Sequence, residues 1–375
     1  MAGSTHQDSG PRRVVVRGVN WLGDAVMTLP ALMRLRERFP EARISILTHE
    51  KLEQFWRGQA VVDEVIAFAR GDSVLKVAGG LRAQGFDLAL VLPNSPRSAL
   101  EAWFARIPKR VGYARTGRTW LLTQAVPPRP GGVRMRKRST AEIRDLIERS
   151  AAAATIGESA HQIHEYLNLV AALGANPVPV APALNIADKE VASTRAELLD
   201  AWLRERGFAQ PLVLLGLNPG AEYGPAKRWP AENFAASARE VCRRRPNCAW
   251  IAFGGPGDAT VCAEIERMAN GCVLSLAGRT TLRQLMALLK SCRVVLTNDS
   301  GPMHLAAALG TPVVVPFGST SPELTGPGLP GDTRHAILRL PTPCSPCFLR
   351  ECPIDFRCMT GITVDAAVCA VLERL

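Results

Sequence analysis

The sequence predicts an α/β protein composed of two doubly wound domains. Apolar runs of strand length alternate with segments of helical periodicity in both halves of the chain. The 375 residues exceed one average domain and suit two domains of about 150 to 200 residues each. A stretch with three prolines, 174–186, lies between the halves as a linker. We expect a first domain at 11–180, a second at 205–345, and a cysteine-containing tail with a terminal helix at 346–375.

Amino-acid composition and net charge indicate which classes of molecule the protein binds. The formal net charge of +11 favours an acidic partner, which could be nucleic acid, an anionic membrane surface or a phosphorylated small molecule. Aromatic residues make up 6% of the chain, so a base-stacking nucleic-acid platform is the weaker of these alternatives. The chain lacks a run of about 18 apolar residues, and its first ten residues lack the apolar segment of a secretory signal. We therefore expect a cytoplasmic protein.

The first half opens with a βαβ unit whose turn carries a carboxylate. Residues 12–47 read as strand, helix and strand. Gly18 and Gly23 have the spacing of a phosphate-binding P-loop, but an aspartate and an alanine follow where that loop needs Lys and Ser or Thr. The turn would instead place an ionised Asp24 at the mouth of a cleft, beside the helix start. The alternative is that Asp24 only caps the helix.

Polar and basic side chains follow the later strands of the first half. Strands are predicted at 61–68 and 86–93, a proline- and arginine-rich stretch follows at 127–138, and 141–173 has a helical pattern. The basic residues form either a cradle for an anionic acceptor or a solvated surface. The candidate acceptor-binding residues are Asn94, Arg97, Arg110 and Arg115.

The second half repeats the alternation of strands and helices. Strands are predicted at 212–217, 249–253 and 273–276, and helices at 232–244 and 281–289. No G-x-G-x-x-G follows a predicted strand, which argues against a dinucleotide dehydrogenase. The loop after the first of these strands holds Lys227, which can neutralise a diphosphate, and Gly220, which lets the main chain approach a ligand closely.

The stretch 298–312, NDSGPMHLAAALGTP, reads as a tight turn and a short helix between two strands. Asp299 and Ser300 can cap this helix, and a proline fits its first turn because the missing N–H costs nothing there. Unpaired N–H groups at the helix start, at the carboxyl end of a parallel strand, could hold the phosphates of a nucleotide. The alternative is an ordinary capped helix.

Four of the ten cysteines lie close together near the carboxyl terminus. Their spacing, C-x2-C-x4-C-x5-C, would allow them to bind one structural metal ion such as zinc or iron. A reduced structural loop and a redox-sensitive hairpin are the alternatives, because the spacing is not that of a standard zinc ribbon. The four residues are Cys344, Cys347, Cys352 and Cys358.

Three motifs, in this order, resemble those of the ADP-heptose:lipopolysaccharide heptosyltransferases, glycosyltransferase family nine. They are LGD at Leu22–Asp24, PGAEYGPAKRWP at Pro219–Pro230 and NDSGPMHLAAALGTP at Asn298–Pro312. The second motif most resembles that of heptosyltransferase II, and the likeness extends over most of 12–340. It implies a GT-B fold, in which two Rossmann-like domains face each other across a cleft. The first domain would hold the acceptor and the second ADP-heptose.

The resemblance also implies roles for individual residues. Asp24 would be the catalytic base, and Lys227 would contact the donor diphosphate during catalysis. Thr280 would lie near the adenine, and His304 would either contact the donor or support its loop. The donor-binding residues implied in this way are Lys227, Thr280, Asp299, Ser300, Gly301 and His304. Gly220 is a further candidate, because it lets the main chain approach a ligand closely.

The activity implied by the resemblance is an inverting transfer of heptose from ADP-L-glycero-D-manno-heptose to the inner core of lipopolysaccharide. It would need no metal or other cofactor, because the chain has no D-x-D motif and a lysine and a helix start can take the place of a metal. The enzyme would touch the inner membrane face and bind no nucleic acid. The alternatives are another GT-B transferase with a different nucleotide sugar, or a noncatalytic protein that binds nucleotide sugars or nucleic acid.

Overall fold

A computed structural model describes residues 10–208 and 211–375. The polar amino terminus, on which the prediction of no secretory signal rests, lies outside the described residues up to position 9. The chain forms two compact units. The first comprises the described residues up to Gly132 together with Gln162–Val180, and the second comprises Val133–His161 and the described residues from Ala181 to Leu375. One unit boundary therefore falls within the predicted linker.

Twelve strands are present in the described residues. In chain order they are β1 Arg13–Arg17, β2 Arg43–His49, β3 Glu64–Phe68, β4 Leu88–Val91, β5 Lys109–Tyr113, β6 Gln124–Val126, β7 Val213–Asn218, β8 Cys248–Ala252, β9 Val273–Ser275, β10 Val295–Thr297, β11 Val313–Phe317 and β12 Ala336–Arg339. All the strand pairs of both sheets are parallel.

Fifteen α-helices accompany these strands in the described part of the chain. They are α1 Leu22–Arg38, α2 Glu53–Trp56, α3 Val74–Ala83, α4 Pro96–Phe104, α5 Thr140–Glu148, α6 Ile163–Ala171, α7 Asp188–Leu198, α8 Asp200–Arg206, α9 Ala231–Arg244, α10 Ala259–Met268, α11 Leu282–Ser291, α12 Gly301–Ala308, α13 Pro322–Thr325, α14 Arg357–Thr360 and α15 Val364–Leu372. None of these helices is long and apolar enough to cross a membrane.

Each unit contains one six-stranded sheet with the same doubly wound strand order. The first sheet runs β3-β2-β1-β4-β5-β6, and the second runs β12-β11-β10-β7-β8-β9. The strands are apolar on both faces because helices cover both sides of such sheets; in β1, for example, Val14, Val15 and Val16 are all buried. The strand order reverses between β1 and β4 in the first sheet and between β7 and β10 in the second. Ligands bind at such reversal points in open α/β sheets.

The structure corrects the predicted course of the chain at 133–161. The sequence pattern assigned this segment to the first domain and predicted one helical stretch at 141–173, but the segment holds the nine-residue α5 and belongs to the second unit. The reason is packing: Ile143 of α5 lies in an apolar cluster with Cys344 and Cys347, and the Arg138 N–H donates to the Cys347 carbonyl at 3.0 Å.

The carboxyl-terminal segment also differs from the prediction, since it is part of the second unit rather than a separate tail. Met359, Val368 and Val371 are fully buried in the core of that unit. Helix α15 packs on α9 of the same unit. Burial of these side chains makes the terminal helix an integral layer of the second sheet's core.

Candidate functional site

Loops with candidate site residues leave the first sheet on both sides of its reversal point. One loop follows β1 and leads into α1, whose first turn contains Asp24. The other follows β4 and leads into α4, and it contains the exposed Asn94. Since neighbouring parallel strands end at the same edge, these two loops lie side by side at the carboxyl edge of the sheet. This is where an α/β domain holds its ligand.

Asp24 is not the cap of α1. The N-cap position is Trp21, and Asp24 lies three residues later, half-buried in the first helical turn. Its Oδ1 lies 3.4 Å from the amide nitrogen of Gln162, which also donates to the Tyr166 hydroxyl at 3.0 Å. Burial, reinforced by the negative charge of Asp24, raises the pKa of Tyr166 well above its usual value. The carboxylate is thus oriented by Gln162, for which no sequence motif predicts a role.

A buried ion pair holds the two loops of the first unit together. The Arg17 guanidinium, at the end of β1, contacts the Glu101 carboxylate of α4 at 2.8 Å, with 6% and 1% of the side chains exposed. Arg17 also donates to the carbonyl of Gly18 in the loop that precedes α1. Breaking such a pair on one side costs about 3 to 5 kcal/mol. The ion pair therefore holds the loops around Asp24 rigidly.

The four predicted acceptor-binding residues do not all lie at this edge. Asn94, Arg97 and Arg115 follow the carboxyl ends of β4 and β5, and all three are exposed. Arg110 lies near the amino end of β5, where its guanidinium donates to the carbonyls of Ile107 and Leu121. Burial lowers the pKa of Arg110. The structure therefore brings three of the four residues together and places Arg110 away from them.

Arg118 is a residue of this edge that the sequence analysis did not select. It is fully buried, and one of its terminal nitrogens donates to the Pro93 carbonyl in the loop after β4. In the described part of the chain its Nε and Nη2 have no hydrogen-bond partner. Burial, with the nearby Arg115 charge, lowers the pKa of Arg118 to about 10. Gly112 makes room for it, because a Cβ there would lie 2.7 Å from Nη2.

The second unit has its reversal point between β7 and β10, and two buried asparagines connect the loops there. The Asn218 amide, at the end of β7, donates to Thr297 Oγ1 at 3.2 Å and to Ser300 Oγ at 2.9 Å. The Asn298 side chain accepts from the Trp229 N–H at 3.0 Å and donates to a carbonyl of the facing loop at 2.7 Å. These hydrogen bonds satisfy buried polar groups and hold the two loops in a fixed arrangement.

Lys227 and Asp299, predicted from two separate motifs, form a direct ion pair. Lys227 Nζ lies 2.6 Å from Asp299 Oδ2, and 14% and 4% of the two side chains are exposed. The same oxygen of Asp299 accepts from Thr320 Oγ1 at 2.6 Å. The Lys227 ammonium also lies 5.1 Å from the centre of the Tyr223 ring. The ammonium also donates to the Asp299 carbonyl at 3.5 Å. An ammonium has three donors, so these two contacts leave one donor for a phosphate.

The amino end of α12 is arranged differently from the predicted cap. Ser300 is the N-cap residue, but no described side chain caps the helix: Ser300 Oγ accepts from Asn218, and Asp299 pairs with Lys227. The helix begins at Gly301 and has a proline in its first turn. Its first N–H groups therefore remain available for an anion beside the Lys227 ammonium.

His304 lies inside α12, one turn from this helix start. Only 5% of it is exposed, and burial lowers its pKa to about 4, with the Asp299 charge acting in the opposite direction. The positive charge of Lys227 and the nearby His161 add to the lowering. The imidazole is therefore neutral at pH 7. It could offer a hydrogen bond to the donor or to its loop, but no positive charge.

The depressed pKa of His304 should appear in the pH dependence of stability. Between pH 6.5 and 4 the unfolded chain binds a proton that the folded chain does not, so stability should fall as the pH falls through this window. The expected contribution is roughly 3 kcal/mol. We expect His304→Gln to flatten the curve of unfolding free energy against pH, measured by urea denaturation. His49→Gln, in the first unit, serves as control, and an equal slope in both variants would refute the assignment.

Glycines bring further loops to the carboxyl edge of the second sheet. A Cβ on Gly220 would lie 2.5 Å from the Asp258 carboxylate, so only glycine fits between the loops after β7 and β8. The Gly278 N–H donates to the carbonyl of Gly254 at 2.9 Å. Gly278 has φ +72, which favours glycine. Thr280, two residues later and partly exposed, is thereby placed at the same edge as the donor candidates.

The cysteine segment does not match the predicted metal site. Among the described residues no group of three or more His, Cys, Asp or Glu side chains is arranged to hold a metal ion, and all ten cysteines are free. Cys344 and Cys347 instead lie in an apolar cluster with Ile143. The segment supports the loop after β7, since the Tyr223 hydroxyl donates to the Phe348 carbonyl at 2.7 Å and the Ala226 N–H to the Arg350 carbonyl at 2.9 Å.

Comparisons with known proteins agree with this arrangement. Residues 74–356 match glycosyltransferase family 9 (heptosyltransferase). Lipopolysaccharide heptosyltransferase 2 of Escherichia coli K12 is 30% identical over 329 residues, which cover 84% of this chain and 85% of the relative. Lipooligosaccharide heptosyltransferase 2 of Haemophilus ducreyi is also 30% identical, over 84% and 86%. The structure of E. coli ADP-heptose lps heptosyltransferase II superposes with a TM-score of 0.73 at 26% identity, covering 96% of this chain and 98% of that one.

Proposed function

Because the chain belongs to glycosyltransferase family 9 and has its GT-B fold, we propose that it transfers heptose from ADP-heptose to the inner core of lipopolysaccharide. The observation that carries the proposal is the Lys227–Asp299 pair beside the uncapped start of α12, at the reversal point of the second sheet. The related E. coli protein of known structure is named for the same donor. The second unit is accordingly the donor unit.

The donor diphosphate would lie at the start of α12. Its negative charge grows as the bond from the sugar to the leaving ADP breaks, and preformed positive groups stabilise this growing charge. The Lys227 ammonium and the N–H groups from Gly301 onward supply that stabilisation. Asp299 and Tyr223 keep the ammonium in place. No step in this scheme requires a metal ion.

The first unit would supply the base. An inverting transfer needs one group that removes the proton of the attacking hydroxyl, and a carboxylate held by a neighbouring amide suits that task. Asp24 meets this description through its contact with Gln162. Orientation of the carboxylate by Gln162 would account for much of the rate enhancement.

The acceptor would bind along the basic carboxyl edge of the first unit. Asn94, Arg97 and Arg115 are exposed there, and the positive charges of the two arginines suit a phosphorylated sugar. The buried Arg118 supports the Asn94 loop through the Pro93 carbonyl. Since the lipid part of this acceptor lies in a bilayer, we place the enzyme in the cytoplasm at the face of the inner membrane.

Nucleotide selectivity tests the donor assignment. At a hundred times its dissociation constant, ADP should stabilise the folded protein by about 2.7 kcal/mol. UDP and GDP at the same concentration should stabilise it less, because the base pocket near Thr280 is assigned to adenine. Thermal unfolding with each nucleotide, with EDTA present throughout, measures this order. A larger shift with UDP than with ADP would sink the ADP-heptose assignment and favour a different nucleotide sugar.

A further inference from the structure

Three aromatic side chains of the first unit are stacked together on its surface. Trp103 and Phe104 end α4, and Trp120 lies in the connection between β5 and β6. They are 39%, 40% and 67% exposed. The Trp103 ring makes edge-to-face contacts with Phe104 at 4.9 Å and with Trp120 at 5.9 Å between ring centres. We call these three side chains the aromatic patch.

The exposure of the aromatic patch is built into the fold. Helix α4 buries Ala99 and Ala102 in the core of the unit, which leaves the last two positions of the helix facing outward. In the connection after β5, Leu121 is buried in that core and its neighbour Trp120 is not. Large exposed aromatic groups that touch one another mark an interaction surface.

The surroundings of the aromatic patch are basic. From 97 to 132 the sequence has seven Lys and Arg residues, of which Arg118 is buried and Arg110 is bonded to backbone carbonyls, and one acidic residue, Glu101. Glu101 is buried and already paired with Arg17 and Arg97. Arg106 and Lys109, which follow the patch directly in the chain, are exposed. The Arg106 N–H donates to the Trp103 carbonyl at 2.9 Å, which fixes this arginine beside the patch.

We propose that the aromatic patch inserts into the headgroup region of an anionic bilayer, with Arg106 and Lys109 on the lipid phosphates. Tryptophan suits this layer because its ring is apolar and its N–H is polar, and each nearby Lys or Arg adds attraction to anionic lipid. A second copy of the chain fits less well, because a two-fold contact would bring these same positive charges together.

The position of the aromatic patch suits an acceptor anchored in lipid. The patch is at the carboxyl end of α4, and the Asn94 loop precedes the amino end of the same helix. Nine helical residues span about 13 Å. One rigid element therefore connects the bilayer contact to the proposed acceptor loop. The inference rests on the proposed function because a lipid-anchored acceptor is the reason to expect a membrane. Binding to vesicles can nevertheless be measured without any catalytic turnover.

Vesicle sedimentation tests the proposal. The full chain should bind vesicles that contain anionic phosphatidylglycerol much more tightly than vesicles of pure phosphatidylcholine. Replacing all three aromatic residues by serine should weaken binding to the anionic vesicles at least about tenfold, and so should Arg106→Glu with Lys109→Glu, which leaves the aromatic groups in place. Leu75→Ser is the matched control, because Leu75 is 64% exposed in the same unit, and it should bind like the unchanged protein.

Two further readouts separate this proposal from the proposed function. With an acceptor freed of its acyl chains, the triple serine variant should transfer as fast as the unchanged protein, since no bilayer is involved. Absence of any transfer by the unchanged protein would count against the proposed function and leave the vesicle result standing. Equal vesicle binding by all variants would overturn the inference. So would a dimer, seen by analytical ultracentrifugation, that dissociates in the serine variant without a change in vesicle binding.

Discussion

Replacing Asp24 by asparagine should lower the turnover number by about 10²- to 10⁴-fold, the range typical of a lost general base. The change keeps the shape of the side chain and its contact with Gln162, so folding should be preserved. ADP binding should not change, because the donor contacts lie in the second unit. Steady-state transfer kinetics and isothermal titration with ADP measure the two effects separately.

The control for this variant is Glu41→Gln, which removes an exposed carboxylate from the same unit. It should change neither quantity. If Asp24→Asn instead abolished ADP binding, or left turnover within a few-fold of the unchanged enzyme, Asp24 would not be the base.

Replacing Lys227 by methionine should weaken ADP binding roughly ten- to a hundredfold, as expected for a lost hydrogen bond to a charged group. It should also destabilise the free protein by about 3 to 5 kcal/mol, because Asp299 is left buried without its cation. Titration with ADP and urea denaturation measure the two effects.

A second substitution separates the two roles of Lys227. Asp299→Asn in the Lys227→Met background removes the uncompensated charge and should restore much of the lost stability, while ADP affinity should stay low. Lys189→Met, at an exposed lysine of the same unit, should leave both quantities unchanged. Recovery of ADP affinity together with stability would mean that Lys227 acts only through folding.

The fold class and the two reversal-point loops could be predicted because parallel strands and helices leave local patterns in a sequence. The run of valines in β1 and the turn at Asn298–Gly301 are examples, and Asp24, Lys227 and Asp299 all follow central strands of the two sheets. The family comparison and the structure confirm the α/β, GT-B prediction.

What could not be predicted depends on contacts between distant residues. Gln162 beside Asp24, Asp258 against Gly220 and the paired asparagines 218 and 298 are far apart in sequence or carry no periodic signal. That 133–161 belongs to the second unit could not be predicted for the same reason, because it depends on apolar packing of α5 against the cysteine segment.

The spacing of the four cysteines was misleading for a related reason. The four thiols do lie near one another, but short intervals along the chain do not set the coordination geometry that a metal ion needs, and the described residues do not form it. Cys344 and Cys347 lie in an apolar cluster, and the main chain just after them supports the loop that follows β7. Arg110 likewise shares a basic stretch with Arg115, yet Arg110 lies near the amino end of β5 and Arg115 follows its carboxyl end.

The most direct test is transfer itself. The purified protein is incubated with ADP-heptose and heptose-deficient inner-core lipopolysaccharide, and the product is examined by mass spectrometry and by NMR of the new linkage. We predict addition of one heptose, release of ADP, and an anomeric configuration opposite to that of the donor. Absence of a heptose adduct under conditions in which a UDP-sugar is transferred would contradict the account.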